Sequence, residues 1–304
     1  MTVVQVWPQV DAPFAAALLE LGRRREDVVV LSADLSKYTD VLPFAQEFPD
    51  RFFQVGMAEA NMMGIAGGLA KTGHLPVAVT YGVFATRRAY DQVAMALATG
   101  PSRGIVVAFL PGITTPFKAT HQAIDDIALM RALAGMTVVD PADATEIAAA
   151  LEFAVAADGP VYIRGLRGSV TKLFDGDGFT LGARVVADGG EVGIIATGLA
   201  TQWALEASDL LEGASSVLHV PVVKPLPAEI VVKFASRFKR VTTIENHSTV
   251  GGLGSAVAEA LAEAGAAVPL RRLGVPDRWA PAGSLDHIRR ELGLDAAGIA
   301  EAVG

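Results

Sequence analysis

At 304 residues the chain is long enough for roughly two domains, each with its own core. Half of it is hydrophobic (51%), yet no apolar run reaches the ~18 residues of a membrane span; the surplus of Ala, Val, Leu and Gly suits buried parallel sheets and large subunit interfaces. A net charge of −8 argues against a nucleic-acid binder, and the lack of cysteine excludes disulfides and thiolate metal sites and fits a cytoplasmic protein.

The opening MTVVQVWPQVD shows neither the basic start nor the apolar core of a signal peptide, so no leader is expected. Short β-branched runs at 28–32, 51–55, 76–80, 104–109, 136–140 and 161–164 predict strands. Ala/Leu-rich segments at about 57–72, 84–98, 123–133 and 144–156 predict helices between them. In PADATE, Asp143 followed three residues later by Glu146 reads as a capping box at the last of these helices. From Gly165 to about Gly190 the pattern dissolves into a Gly- and Asp-rich linker or crossover. A second alternation follows, with strands at 192–197, 216–220, 241–245 and 268–273 and helices at about 201–212 and 252–264. The expected organisation is α/β, two doubly wound three-layer domains at 1–165 and 191–304 joined by a linker at 166–190. The basic runs Arg23-Arg24-Arg25 and Arg87-Arg88 read as solvated faces or ion pairs.

Ligands of a parallel sheet bind beyond the carboxyl ends of its strands, which directs attention to the residues following each strand. Glu59 opens a predicted helix just after RFFQV. An acid in a first helical turn is favourable by only ~0.3–1 kcal/mol, and alone that would explain it. The glycines that follow, Gly64, Gly67 and Gly68, each cost a helix about 1 kcal/mol, so they predict another backbone packed closely on that face. An acid buried at such a contact is desolvated and can keep its proton to donate a hydrogen bond.

The stretch Gly56 to Ala70, GMAEANMMGIAGGLA, is similar to the transketolase-type thiamine diphosphate enzymes, in the domain that grips the cofactor's aminopyrimidine ring. The resemblance continues through VTYGVFATRRAYDQV (79–93), ATHQAIDDIALMRA (119–132), VVDPADATE (138–146) and IENHSTVGGLGSAVAE (244–259), and so covers essentially the whole chain in order. It implies a pyrimidine-binding domain followed by a smaller transketolase C-terminal-type domain. In that family the acid equivalent to Glu59 bonds a pyrimidine nitrogen and favours the tautomer that deprotonates the thiazolium carbon. The cofactor then acts as an electron sink.

The same resemblance places Tyr81, Phe84 and Arg87 on the pyrimidine side of the cofactor, and Asp34 near the cofactor and a subunit contact. It implies that His121 faces the substrate and assists proton transfer. Arg164 matches a substrate-phosphate arginine, and Lys118 is a candidate new cation. Against these stand plainer readings: a core aromatic pair, a turn residue at Asp34, a structural histidine, and an Arg164 paired with an acid of the second domain. His247 reads as polar wiring between domains or as a cap of the Gly-rich turn after it.

The family binds the diphosphate and Mg²⁺ through Gly-Asp-Gly and an Asn about thirty residues on. Gly176-Asp177-Gly178 is a decoy, since the two asparagines, Asn61 and Asn246, are wrongly spaced. The resemblance therefore implies the C-terminal half of a split transketolase. A separate N-terminal subunit would hold the diphosphate and metal, with two copies of each chain and neither nucleic acid nor membrane as partner. Asp11, Phe109 and Phe117 replace family residues that hold sugar hydroxyls or phosphate, which implies an altered sugar pocket and a branched, deoxy or sulfonated substrate. The rival readings are the beta subunit of a 2-oxo-acid dehydrogenase, a 1-deoxyxylulose-5-phosphate synthase, or a non-catalytic subunit that keeps the fold.

Overall fold

The computed structural model of the protein describes residues 7–100, 103–176 and 179–304. The chain divides into two compact units, Trp7–Pro111 with Leu129–Leu181, and Gly112–Ala128 with Gly182–Gly304. The segment 112–128, expected inside the first domain, thus belongs to the second unit.

In the first unit the strands Val28–Ser32, Phe52–Gln54, Leu75–Tyr81, Ile105–Phe109, Thr137–Val139 and Val161–Gly165 form a parallel sheet. Their spatial order is 137–139, 161–165, 105–109, 75–81, 28–32, 52–54. Every residue of Val28–Ser32, Leu75–Tyr81, Ile105–Phe109 and Val161–Gly165 is buried, which is why these strands read as continuous apolar runs. Tyr81, Phe109 and Gly165 lie in register, so the carboxyl ends of three neighbouring strands finish on one edge. Ser169–Thr171, read from sequence as linker, pairs antiparallel with Gln9–Asp11 and so is part of this unit. Asp177 and Gly178 of the Gly-Asp-Gly decoy lie outside the described residues.

The helix Ala144–Ala156 begins as its sequence predicts. Asp143 accepts from the Glu146 N–H at 2.7 Å, while Glu146 Oε2 accepts from the Ala142 N–H at 2.9 Å. The second bond reaches one residue further back than a standard capping box. Asp143 also accepts from the N–H groups of Leu173 and Phe174 at 2.7 and 2.9 Å, so one carboxylate both starts a helix and anchors the chain leaving the unit. Burial pushes its pKa up against the pull of these donors. Stability linked to this group is therefore fully present below the ordinary carboxylate value and is lost as pH rises through the raised one. Asp143→Ala is expected to lower unfolding stability by about 2–4 kcal/mol, a lost cap plus stranded donors. Asp143→Asn keeps an acceptor and should recover most of that in urea unfolding while removing the pH dependence.

Residues 84–98 are less regular than expected. Two π-type stretches, Phe84–Arg88 and Val93–Ala98, flank a single α turn at Tyr90–Gln92. Such widened turns occur preferentially at functional positions. The run Arg23-Arg24-Arg25 resolves into ion pairs with Glu47, Glu152 and Asp27, as surface pairs of small energetic weight.

In the second unit Leu270–Val275, Val241–Ser248, Val192–Ala196 and Ser215–His219 run parallel in that spatial order, with Arg184–Ala187 antiparallel at the edge. Trp203, Ile194, Val217 and Ile244 form its core, and Ile113 and Ile124 from the 112–128 segment are buried in the same cluster. Those two side chains explain why the segment belongs here. Among the described residues no helix is long and apolar enough to cross a membrane.

Candidate active site

After the strand Phe52–Gln54 the chain turns through Gly56 and begins the helix Glu59–Lys71. Glu59 is 1% exposed, so its burial is complete within the chain. Arg88 Nη1 donates to Glu59 Oε2 at 2.9 Å. The same guanidinium lies 4.4 Å from the centroid of the Phe84 ring, and Phe84 stacks on Tyr81 at 6.0 Å and 27°. Acid, cation and two rings thus form one continuous group at the carboxyl end of the strand Leu75–Tyr81. Burial pushes the Tyr81 phenol above its ordinary value.

Arg88 is the residue that sequence reasoning missed, since the resemblance pointed to Arg87. The widened turn Phe84–Arg88 ends on Arg88, and it is this arginine, half exposed, that meets the acid. Arg87 is half-buried beside it. Doubled arginines in a predicted helix were the available signal.

The three glycines separate into two kinds. A Cβ on Gly67 would sit 2.5 Å from the Ala96 carbonyl oxygen, so this glycine is required by the chain's own backbone. Gly64 and Gly68 face open space, beside the exposed Ile65 and with Met57 at the helix entrance, and the chain itself gives no packing reason for them.

Asp34 also sits at this sheet edge, two residues past Ser32. Its side chain is exposed and its backbone left-handed at φ 60°, a conformation Asp tolerates. Its N–H donates to Gln54 Oε1 at 2.6 Å, a turn contact. Arg164 is placed differently from the substrate role implied for it. It is 1% exposed, and Nη1 donates to Asp140 Oδ2 at 3.2 Å. Asp140 lies in the same unit.

Of the three replaced sugar-pocket positions, Phe109 lies in the core and Asp11 on an exposed edge. Phe109 is fully buried, edge-on to Phe14 at 5.4 Å and 73°, with Gly165 held free of a Cβ that would stand 3.0 Å from its ring. It is a core residue rather than a pocket wall. Asp11 is exposed on the edge ribbon Gln9–Asp11.

Lys118 and His121 come together on the other unit, in a loop closed at its neck by the Gly112 N–H donating to Ala123 O at 2.9 Å. Lys118 O accepts from the N–H groups of His121 and Gln122, and its side chain is exposed. His121 Nδ1 lies 3.0 Å from Thr120 Oγ1 and its ring 5.2 Å from that of Phe117, itself 61% exposed. Thr120 Oγ1 already donates to Phe117 O at 2.8 Å, so Nδ1–H is the donor of the His–Thr pair. On a neutral ring that makes Nε2 the accepting nitrogen.

The first unit places a buried acid and stacked aromatics at the carboxyl edge of a parallel sheet, the edge where ligands of such sheets bind, and a smaller α/β unit follows in sequence. Residues 8–172 match the transketolase pyrimidine-binding domain and residues 182–299 the transketolase C-terminal domain. The chain belongs to the transketolase family. It is 42% identical over 300 residues to an uncharacterised transketolase family protein of Sinorhizobium fredii, covering 96% of this chain and 87% of that one. It is 41% identical to a 6-deoxy-6-sulfo-D-fructose transketolase subunit of Clostridium sp., covering 94% and 90%. Among solved structures it resembles a split-gene transketolase described as an inactive β4 tetramer, at 39% identity and a TM-score of 0.86, covering 96% and 95%.

Proposed function

We propose that this chain is the C-terminal subunit of a two-chain, thiamine diphosphate-dependent transketolase. It would transfer a two-carbon ketol unit from a ketose to an aldehyde acceptor. The observation that carries the reading is the Glu59–Arg88–Phe84–Tyr81 group, an acid and a ring face at the carboxyl edge of a parallel sheet. These residues fit an aminopyrimidine, which needs one buried acid at a ring nitrogen and an aromatic surface for its face. When bound, thiamine diphosphate supplies an electron sink for cleaving a carbon–carbon bond beside a carbonyl.

Within this chain Glu59 holds and releases a proton at its carboxyl, and Arg88 fixes that carboxyl in place. Phe84 and Tyr81 provide the apolar face, with Arg87 and Asp34 at its margin. His121 Nε2 takes up and returns a proton at a sugar hydroxyl, and Lys118 attracts an anionic substituent of the sugar. Arg164 is assigned to the fold through Asp140 rather than to substrate.

The diphosphate and Mg²⁺ are assigned to a partner N-terminal subunit, with two copies of each chain in a cytoplasmic enzyme. The subunit naming of the Clostridium relative and the split-gene description of the solved one support the two-chain form. The sulfofructose named for that relative supports a sugar outside the usual pentose phosphates. The test is to purify the chain with the product of a neighbouring reading frame and assay the pair with thiamine diphosphate, Mg²⁺ and a panel of ketoses. Release of an aldose is expected from the pair and not from the lone chain. Release of CO₂ from a 2-oxo acid instead would assign the chain to the decarboxylating relatives, and turnover by the lone chain would overturn the two-chain form.

A further inference from the structure

One strand of the second unit ends in an irregularity aimed at the loop that bears His121. The strand Val241–Ser248 is paired on both sides up to Ile244, which stands opposite Leu273. The next pairing with that neighbour is Ser248 opposite Val275. Glu245, Asn246 and His247 therefore stand against Gly274 alone, a bulge that re-aims consecutive side chains. All three are at most 1% exposed.

Each takes a different direction. Glu245 caps the helix Leu253–Glu263, accepting from the Leu253 and Gly254 N–H groups at 2.7 and 3.0 Å. Asn246 Oδ1 accepts from the Ile113 N–H at 2.9 Å, at the start of the loop's neck. His247 donates from Nδ1 to Ser248 O at 2.7 Å, which leaves Nε2 to accept from the Ala128 N–H at 3.3 Å beyond the loop's end. Ser248 itself donates its N–H to Ile124 O at 2.7 Å. The strand end thus grips the segment at 113, 124 and 128.

Other contacts serve the same grip. Gln122, beside His121, donates from Nε2 to Thr115 O across the loop and to Pro281 O, both at 3.1 Å. Gly112 has φ 56°, and a Cβ there would overlap both oxygens of Asn246, so neck and asparagine fit without space between them. His247, read from sequence as a cap of the Gly-rich turn or as wiring between domains, accepts from the Ala128 N–H. It holds the base of the loop inside its own unit.

We infer that Asn246, with His247 and Ser248, positions His121 by holding the neck of the 112–123 loop, so that the C-terminal unit sets the placement of a substrate-facing group. The inference rests on the proposed role of His121, but the grip on the loop is measured separately from it. In the purified chain, Asn246→Ala should speed amide hydrogen exchange across 112–123 by about tenfold or more, the scale of one lost buried hydrogen bond. Exchange in the strand Val192–Ala196 should not change. Asn246→Asp, which retains an accepting oxygen, should restore slow exchange in the loop.

In the assembled enzyme, Asn246→Ala should lower kcat/KM for the sugar about tenfold, with the affinity for thiamine diphosphate unchanged. Unaltered loop exchange would overturn the inference. So would a uniform rise in exchange across the whole unit, which would make Asn246 a general stability residue. Full turnover by His121→Ala would instead remove the role proposed for that histidine and leave the exchange result to decide the grip on its own.

Discussion

Glu59→Gln is expected to reduce turnover of the assembled enzyme by about 1,000-fold, in the range that loss of a positioned acid–base group produces. The amide has the shape of the carboxyl but can neither hold nor release its proton. It also loses the charge that Arg88 Nη1 meets at 2.9 Å. Because the Arg88 side chain is 52% exposed, water can satisfy the guanidinium once the charge has gone, and the fold should survive. Thermal unfolding and circular dichroism of the variant should match the wild type. A tenth or more of wild-type turnover would mean that Glu59 is a buried ion-pair residue and nothing further.

Arg164→Met should act on stability instead. Breaking a buried ion pair by removing one partner typically costs about 3–5 kcal/mol. Arg164 and Asp140 have side chains only 1% and 3% exposed, so solvent cannot take over the missing role. The expected result is a lower urea midpoint with little change in KM for an anionic ketose among molecules that remain folded. An unchanged midpoint with a raised KM would return Arg164 to the substrate.

The contrast between these two residues shows what was legible beforehand. Both are charged residues at the carboxyl edge of a parallel sheet, and both matched a family motif. Sequence order shows that a residue ends a strand, but not which neighbour waits beside it. Asp140 lies 24 positions before Arg164 and meets it only because the strands Thr137–Val139 and Val161–Gly165 are adjacent. The strands and the Asp143 cap were readable because burial and capping leave marks of local period and spacing. The doubled arginines were visible, but not which one would meet Glu59, because the widened turn at 84–88 that selects Arg88 is a backbone event. Phe109 shows the same limit: an aromatic replacing a polar family residue is also what a core position looks like, and its contacts with Phe14 and Gly165 are non-local. The glycines were half readable, with only Gly67 explained by Ala96.

The excursion of residues 112–128 into the second unit has a bearing on how such proteins diversify. A gene exchange at the stretch near residue 181 would look, in sequence, like a clean swap of one domain for another. In space it would seat one parent's loop in the other parent's cradle, with Ile113 and Ile124 entering a foreign core and the neck meeting a foreign Asn246. Hybrids joined there should inherit their sugar preference from neither parent cleanly, whereas hybrids that carry 112–128 together with the C-terminal portion keep the loop and its cradle as one heritable unit.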